Sequence, residues 1–169
     1  MIPFLRRLGN ALRRQFPYLA PMLAWMAVIA VLSTDIGAHE HTTDGLFTVT
    51  RFLFPDLERT DIDEEVRFLS WTLRKLGHLC EYAVLSFLAC RWLLFSFGTS
   101  PRIWRGGGPT IASIYAALDE CHQLLVPTRS GSLADVMTDL AGAALGTLWF
   151  ALHARGANTS REQGQRTPD

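Results

Sequence analysis

A chain of 169 residues, 49% of them hydrophobic and with 16 basic residues balancing 16 acidic ones, has the length of one domain and no net charge. That balance argues against a nucleic-acid partner, which would call for a basic surface. Three cysteines, an odd number with no Cys-x-x-Cys, exclude a disulfide framework and read as small apolar fillers.

In chain order, the apolar residues come in blocks. Residues 1–16 place Phe4, Leu8, Leu12 and Phe16 at every fourth position, with Arg6, Arg7, Arg13 and Arg14 among them, the pattern of an amphipathic helix lying on a leaflet. "PYLAPMLAWMAVIAVLS" opens a first span over about 17–35. No small-x-small cleavage site follows it, so it reads as an anchor rather than a signal peptide. In the long acidic segment that follows, "GLFTVTRFLFP" is expected on the membrane interface. "TDIDEEVRFLSWTLRKL" offers Asp61 as an N-cap, Glu64 three residues on, and Val66, Leu69, Leu73 and Leu76 at helical spacing, which predicts an amphipathic helix leading into the second span.

Further spans are expected over about 76–97, 109–126 and 133–154, joined by a 98–108 loop "GTSPRIWRGGG" and a short turn "PTRSGS". A crossing helix needs ~20 mostly apolar residues, which makes the first span marginal and the second and fourth ample. Residues 155–169 have no apolar pattern and are expected to form a flexible tail. The expected fold class is therefore all-α, an integral membrane bundle of about four transmembrane helices with an N-terminal interfacial helix and a long outer loop. Arginines mark the N-terminal segment, the 98–108 loop (Arg102, Arg105) and the tail (Arg155, Arg161, Arg166), all on one side. By the positive-inside rule that side is cytoplasmic, so both termini are expected inside a bacterial inner membrane, with 34–74 and 127–132 outside.

The polar residues within spans gather at the outer ends. Lys75, His78, Glu81 and Tyr82 open the second span, and Lys75 is the chain's only lysine. Asp119, His122 and Gln123 are expected on one face of the third span, with Glu120 about 100° away. Arg129 lies in the short turn. Asp135 and Asp139 open the fourth span one turn apart, and their stripe continues as Gly142 and Gly146, a spacing that favours close helix packing. A charge at the centre of a span costs ~2.5–3.5 kcal/mol, so such groups either pair with one another or face a wet pocket. These eleven residues, from Lys75 to Asp139, are the expected lining of a polar pocket near the outer leaflet.

Several chemistries share this residue set. Paired charges alone would fix the bundle as an ion-pair network, and Asp135 could cap its helix. A catalytic assignment takes His78 or His122 as acid or base, Glu81 and Asp119 as orienting carboxylates, and Lys75 with Arg129 as stabilisers of an anionic group. A binding site would use the same groups to hold a head group without chemistry. No two-helix metal-ligand spacing, phosphate loop, nucleotide fingerprint or nucleophile elbow is present, so no metal or cofactor is called for.

"KLGHLCEY" followed by "YAALDECHQLLVPTRSGSLADVMTDLAGAALG" resembles the VanZ-like family of small integral membrane proteins. Its pattern is Lys-x-x-His-x-x-Glu-Tyr, then Asp-Glu-x-His-Gln, an arginine, and Asp-x-x-x-Asp-x-x-Gly-x-x-x-Gly. Ser33 fits the family as well, whereas Thr128 stands where it often has glycine. The family is named for a protein associated with low-level resistance to teicoplanin, a lipid-tailed glycopeptide. The resemblance implies a cell-envelope setting and, as partner, a membrane lipid or lipid-like amphiphile; it supplies no reaction and no oligomeric state.

Overall fold

The computed structural model describes the backbone of residues 2–34, 39–53, 59–126 and 132–164, and the side chains of 13–34, 43–53, 63–126 and 132–154. Five helices and no strands occur among them: α1 Ile2–Leu32, α2 His39–Leu53, α3 Arg59–Phe97, α4 Pro101–Gln123 and α5 Leu133–Gly164.

Local chemistry sets the α3–α4 boundary. Gly98 takes φ 60°, a left-handed conformation that glycine adopts without a Cβ penalty, and its N–H donates back to the Leu94 carbonyl at 2.8 Å. Thr99 Oγ1 donates to the Leu93 carbonyl at 3.0 Å. Ser100 is then extended, and Pro101 starts α4 where a missing N–H costs nothing. The turn is so short that α3 and α4 run antiparallel. Residues 101–108, expected as loop, are instead the first two turns of α4. Tertiary packing overrides their poor helix propensity: a Cβ at Gly108 would overlap Cys90 Sγ, so glycine there lets α4 close on α3.

Other boundaries shift as well. The helix is continuous from residue 16 to 17, so residues 2–16 are the first part of α1 and not a separate helix. Pro17 and Pro21 lie one turn apart inside it, which puts their missing donors on the same side and leaves the opposite hydrogen-bond rows intact. The amphipathic lead-in and second span form one helix of 39 residues, about 58 Å long at 1.5 Å per residue. It begins at Arg59, so Asp61 lies inside the helix rather than at its cap. Helix α5 continues to Gly164, so the change of composition at residue 155 does not end it.

Helix α3 is the centre of the bundle. It runs parallel to α5 in constant register: Arg74 meets Asp135, His78 meets Asp139 and Ser86 meets Thr147, each 61 residues apart. Gly142 and Gly146 permit this closeness, since a Cβ at either would overlap the Leu79 or Ala83 carbonyl oxygen, and backbone atoms cannot move aside. Helix α1 is antiparallel to α3. Tyr18 stacks on Phe95 with ring centroids 5.3 Å apart, and further along α1 the Trp25 indole donates to the Glu81 carbonyl at 2.9 Å. Tyr115 ties α4 to α1 by donating to the Met26 carbonyl at 2.6 Å. Thr43 joins α2 to α3 through the Ser70 hydroxyl at 2.9 Å.

The apolar core is slender, with Ile29, Tyr82, Leu85, Ala89, Ala112, Ala116 and Ala143 at its centre. Many of the largest apolar side chains are exposed instead, among them Leu23, Phe68, Phe95, Ile114, Leu118, Leu145 and Leu152. Two helices are long and apolar enough to cross a membrane, over Arg13–Leu32 and Asp63–Phe97. Helices α4 and α5, expected as the third and fourth spans, do not meet that test among the described residues.

Candidate functional site

Alternating helix directions bring the N-terminal half of α3, the C-terminal end of α4 and the N-terminal turns of α5 to one end of the bundle. A stripe on α3, spaced by four, passes through Ser70, Arg74, His78, Tyr82 and Ser86. Four residues advance a helix by 400°, so this stripe drifts only 40° per step; Arg74, His78 and Ser86 meet α5, whereas Ser70 meets Thr43 of α2.

The ion pairs run between α3 and α5. Asp135, in the first turn of α5, accepts from Arg74 Nη2 at 2.9 Å and also from Lys75 Nζ. Its carboxylate is almost fully buried, whereas the two cations keep 17% and 18% exposure. Lys75 also lies 5.8 Å from the Trp71 ring centre, where an ammonium gains from the ring's negative face. One turn deeper, His78 Nδ1 is 3.0 Å from Asp139 Oδ1. With a carboxylate as acceptor, Nδ1 carries the proton and the imidazole is held in one orientation.

The α4 residues join from the other side. Gln123 Nε2 donates to Asp119 Oδ2 at 2.9 Å, and Glu120 Oε1 accepts the Ser132 N–H at the start of α5. Asp119, Glu120 and Gln123 of α4, His78 and Tyr82 of α3, and Asp135 and Asp139 of α5 are all buried at this end of the bundle. Yet several buried polar atoms have no hydrogen-bond partner among the described residues: Tyr82 Oη, Glu120 Oε2, Gln123 Oε1, Asp139 Oδ2 and, among donors, Arg74 Nε. Ser33 Oγ, at the end of α1, is in the same state.

Placement differs from the sequence expectation in one respect. Asp119, Glu120 and Gln123 are buried together, while His122 is exposed. Ala112, Ala116, Asp119, Gln123 and Glu120 fall within a 100° arc of α4, and His122 lies roughly 100° from its centre. Glu120 therefore takes the inward place expected of His122. Glu81 is half-buried beside the cluster. Arg129 lies outside the described residues. Arg74 and Ser70 were not singled out from the sequence, although the spacing of four through His78 and Tyr82 includes both. Among the described residues no three His, Cys, Asp or Glu side chains come together as metal ligands.

Apolar side chains outside, and polar ones drawn together at one end of the interior, define a class of small helical bundle built for an apolar surrounding. Within that class, the chain belongs to the VanZ/LLP1 family, whose model matches residues 18–154, from the second half of α1 into α5. No curated protein and no solved structure matches the chain.

Proposed function

We propose that this protein is a four-span bundle of the bacterial inner membrane whose polar cluster, at the outer leaflet, binds the head group of an envelope lipid or a lipid-tailed amphiphile. The inverted distribution of side chains carries this reading. In a water-soluble domain Asp, Glu and Gln lie outside and large exposed apolar surfaces are small; here Asp119, Glu120, Gln123, Asp135 and Asp139 are buried while leucines and phenylalanines face outward. Helices α4 and α5 fall short on average composition in part because they carry Asp119, Glu120, Gln123, Asp135 and Asp139, whose side chains are buried within the bundle. Asp119, Glu120, Asp135 and Asp139 near one end of the bundle, and Arg13, Arg14, Arg102 and Arg105 near the other, give the orientation through the positive-inside rule, with both termini cytoplasmic.

A ligand for such a site has a polar head at the level of the cluster and a tail among the exposed side chains. Lipid-linked wall precursors and lipidated glycopeptides have that form, and the family's link to teicoplanin makes resistance a testable consequence. Expression in a susceptible Gram-positive host is expected to raise tolerance of teicoplanin more than of vancomycin, which lacks the tail. Asp119→Asn should abolish the shift at normal protein level, and His78→Ala should abolish it as well, with its protein level measured alongside because it breaks the buried pair with Asp139. Full tolerance retained by both variants would reduce the cluster to an ion-pair scaffold.

The His78–Asp139 pair favours a second reading in which the site also performs chemistry. A carboxylate-oriented imidazole is the arrangement that general acid–base catalysis uses, and on this reading His78 is the base and the exposed His122 is not.

A further inference from the structure

The apolar run 76–97 of α3 fixes the depth of the His78–Asp139 pair. It is about 33 Å long at 1.5 Å per residue, close to the ~30 Å of a bilayer's hydrocarbon. On the proposed orientation Arg74 and Lys75 lie just outside the hydrocarbon, and His78 lies just inside it, one helical turn deeper than Arg74. A glycerophospholipid has the same order: its phosphate is outermost, and its acyl esters mark where the chains begin. Arg74 and Lys75 have more N–H donors than their contacts with Asp135 use, so a phosphate can be met at their level. The ester then falls at the level of His78.

Two features of the pair suit it to act on that ester. With Nδ1 donating to Asp139, the imidazole keeps its lone pair on Nε2, and the side chain retains 8% exposure. Water also has a place beside it. Asp139 Oδ2, Tyr82 Oη and Glu120 Oε2 are buried with no hydrogen-bond partner among the described residues, and buried polar atoms of that kind bind ordered water.

Resting on the lipid-binding and acid–base readings, we propose that the site hydrolyses an acyl ester of a phospholipid. His78 Nε2 takes a proton from water as the water oxygen bonds to the ester carbonyl carbon. The tetrahedral adduct then breaks its bond to the glycerol oxygen, which receives that proton from His78. One water is consumed, a fatty acid and a lysophospholipid leave, and nothing is oxidised or reduced.

The full chain in nanodiscs tests this with dioleoylphosphatidylglycerol and with its dialkyl ether analogue, which has no ester to cleave, both in water enriched in heavy oxygen. From the ester lipid, mass spectrometry is expected to find lysophosphatidylglycerol and oleate carrying one heavy oxygen. Native mass spectrometry is expected to find the ether lipid retained intact. His78→Asn puts an amide N–H where Nδ1 donated to Asp139, but an amide cannot take the proton from water. It should lower oleate release at least roughly a hundredfold, with the melting temperature and the retention of the ether lipid unchanged. Ether lipid retained with no oleate released, head group released in place of oleate, or release undiminished in His78→Asn overturns the hydrolysis and leaves lipid binding standing. Retention of neither lipid above background overturns both.

Discussion

At the scale of single residues, the cluster mixes groups that hold the bundle with groups that have no hydrogen-bond partner among the described residues, and substitution separates the two. Removing the Asp139 carboxylate leaves His78 buried without its acceptor, and breaking a buried pair by deleting one member costs about 3–5 kcal/mol. Tyr82→Phe removes a buried hydroxyl that bonds nothing, so it should leave stability unchanged or raise it by up to about 1 kcal/mol. Thermal unfolding in detergent checks both; a Tyr82→Phe loss as large as that of Asp139→Ala would mean the hydroxyl is bonded after all. Much of this cluster was legible, because aspartates and a lysine in apolar runs demand an explanation. Which α4 residues face inward was not, since a stretch in which Asp119, Glu120, His122 and Gln123 are all polar gives no apolar stripe to set the phase. The small residues Ala112 and Ala116, upstream on the same helix, set it instead. Arg74 was legible only through the spacing of four that joins it to His78 and Tyr82, a row that the neighbouring Lys75 does not share.

At the scale of elements, the parallel α3–α5 contact positions the site, and its glycines set how near the helices come. Gly146→Ala is expected to destabilise by about 1–3 kcal/mol through overpacking, because the new methyl would meet the Ala83 carbonyl. Gly77→Ala, on α3 with open space around it, should stabilise by about 0.5–1 kcal/mol through helix propensity alone. Unfolding temperatures that move the same way for both variants would contradict the packing role. The Gly142 and Gly146 pair was readable from its spacing. The glycines of α4 were not: Gly106, Gly107 and Gly108 look like a loop in isolation, and only the nearness of Cys90 explains why Gly108 belongs to a helix. Helix ends that depend on a single cap, as at Gly98, are local and legible; helices that run on through prolines or beyond a change of composition depend on their neighbours.

At the scale of the whole molecule, the bundle resembles a soluble protein turned inside out. Its polar groups pair within and its leucines and phenylalanines face outward, and the arginines near one end oppose the carboxylates near the other. The proposed four crossings would account for this distribution, whereas two crossings by α1 and α3 alone would leave the exposed Ile114, Leu118, Leu145 and Leu152 of α4 and α5 in water. Site-directed labelling decides between them. In a variant with Cys80, Cys90 and Cys121 replaced by alanine, single cysteines at Gly45, Gly131 and Ser160 are probed with an impermeant maleimide on intact cells. Four spans predict labelling at positions 45 and 131 from outside and at position 160 only after permeabilisation. If position 131 is protected together with position 160, the α4–α5 turn lies inside, the bundle does not cross four times, and the polar cluster is not at the outer leaflet.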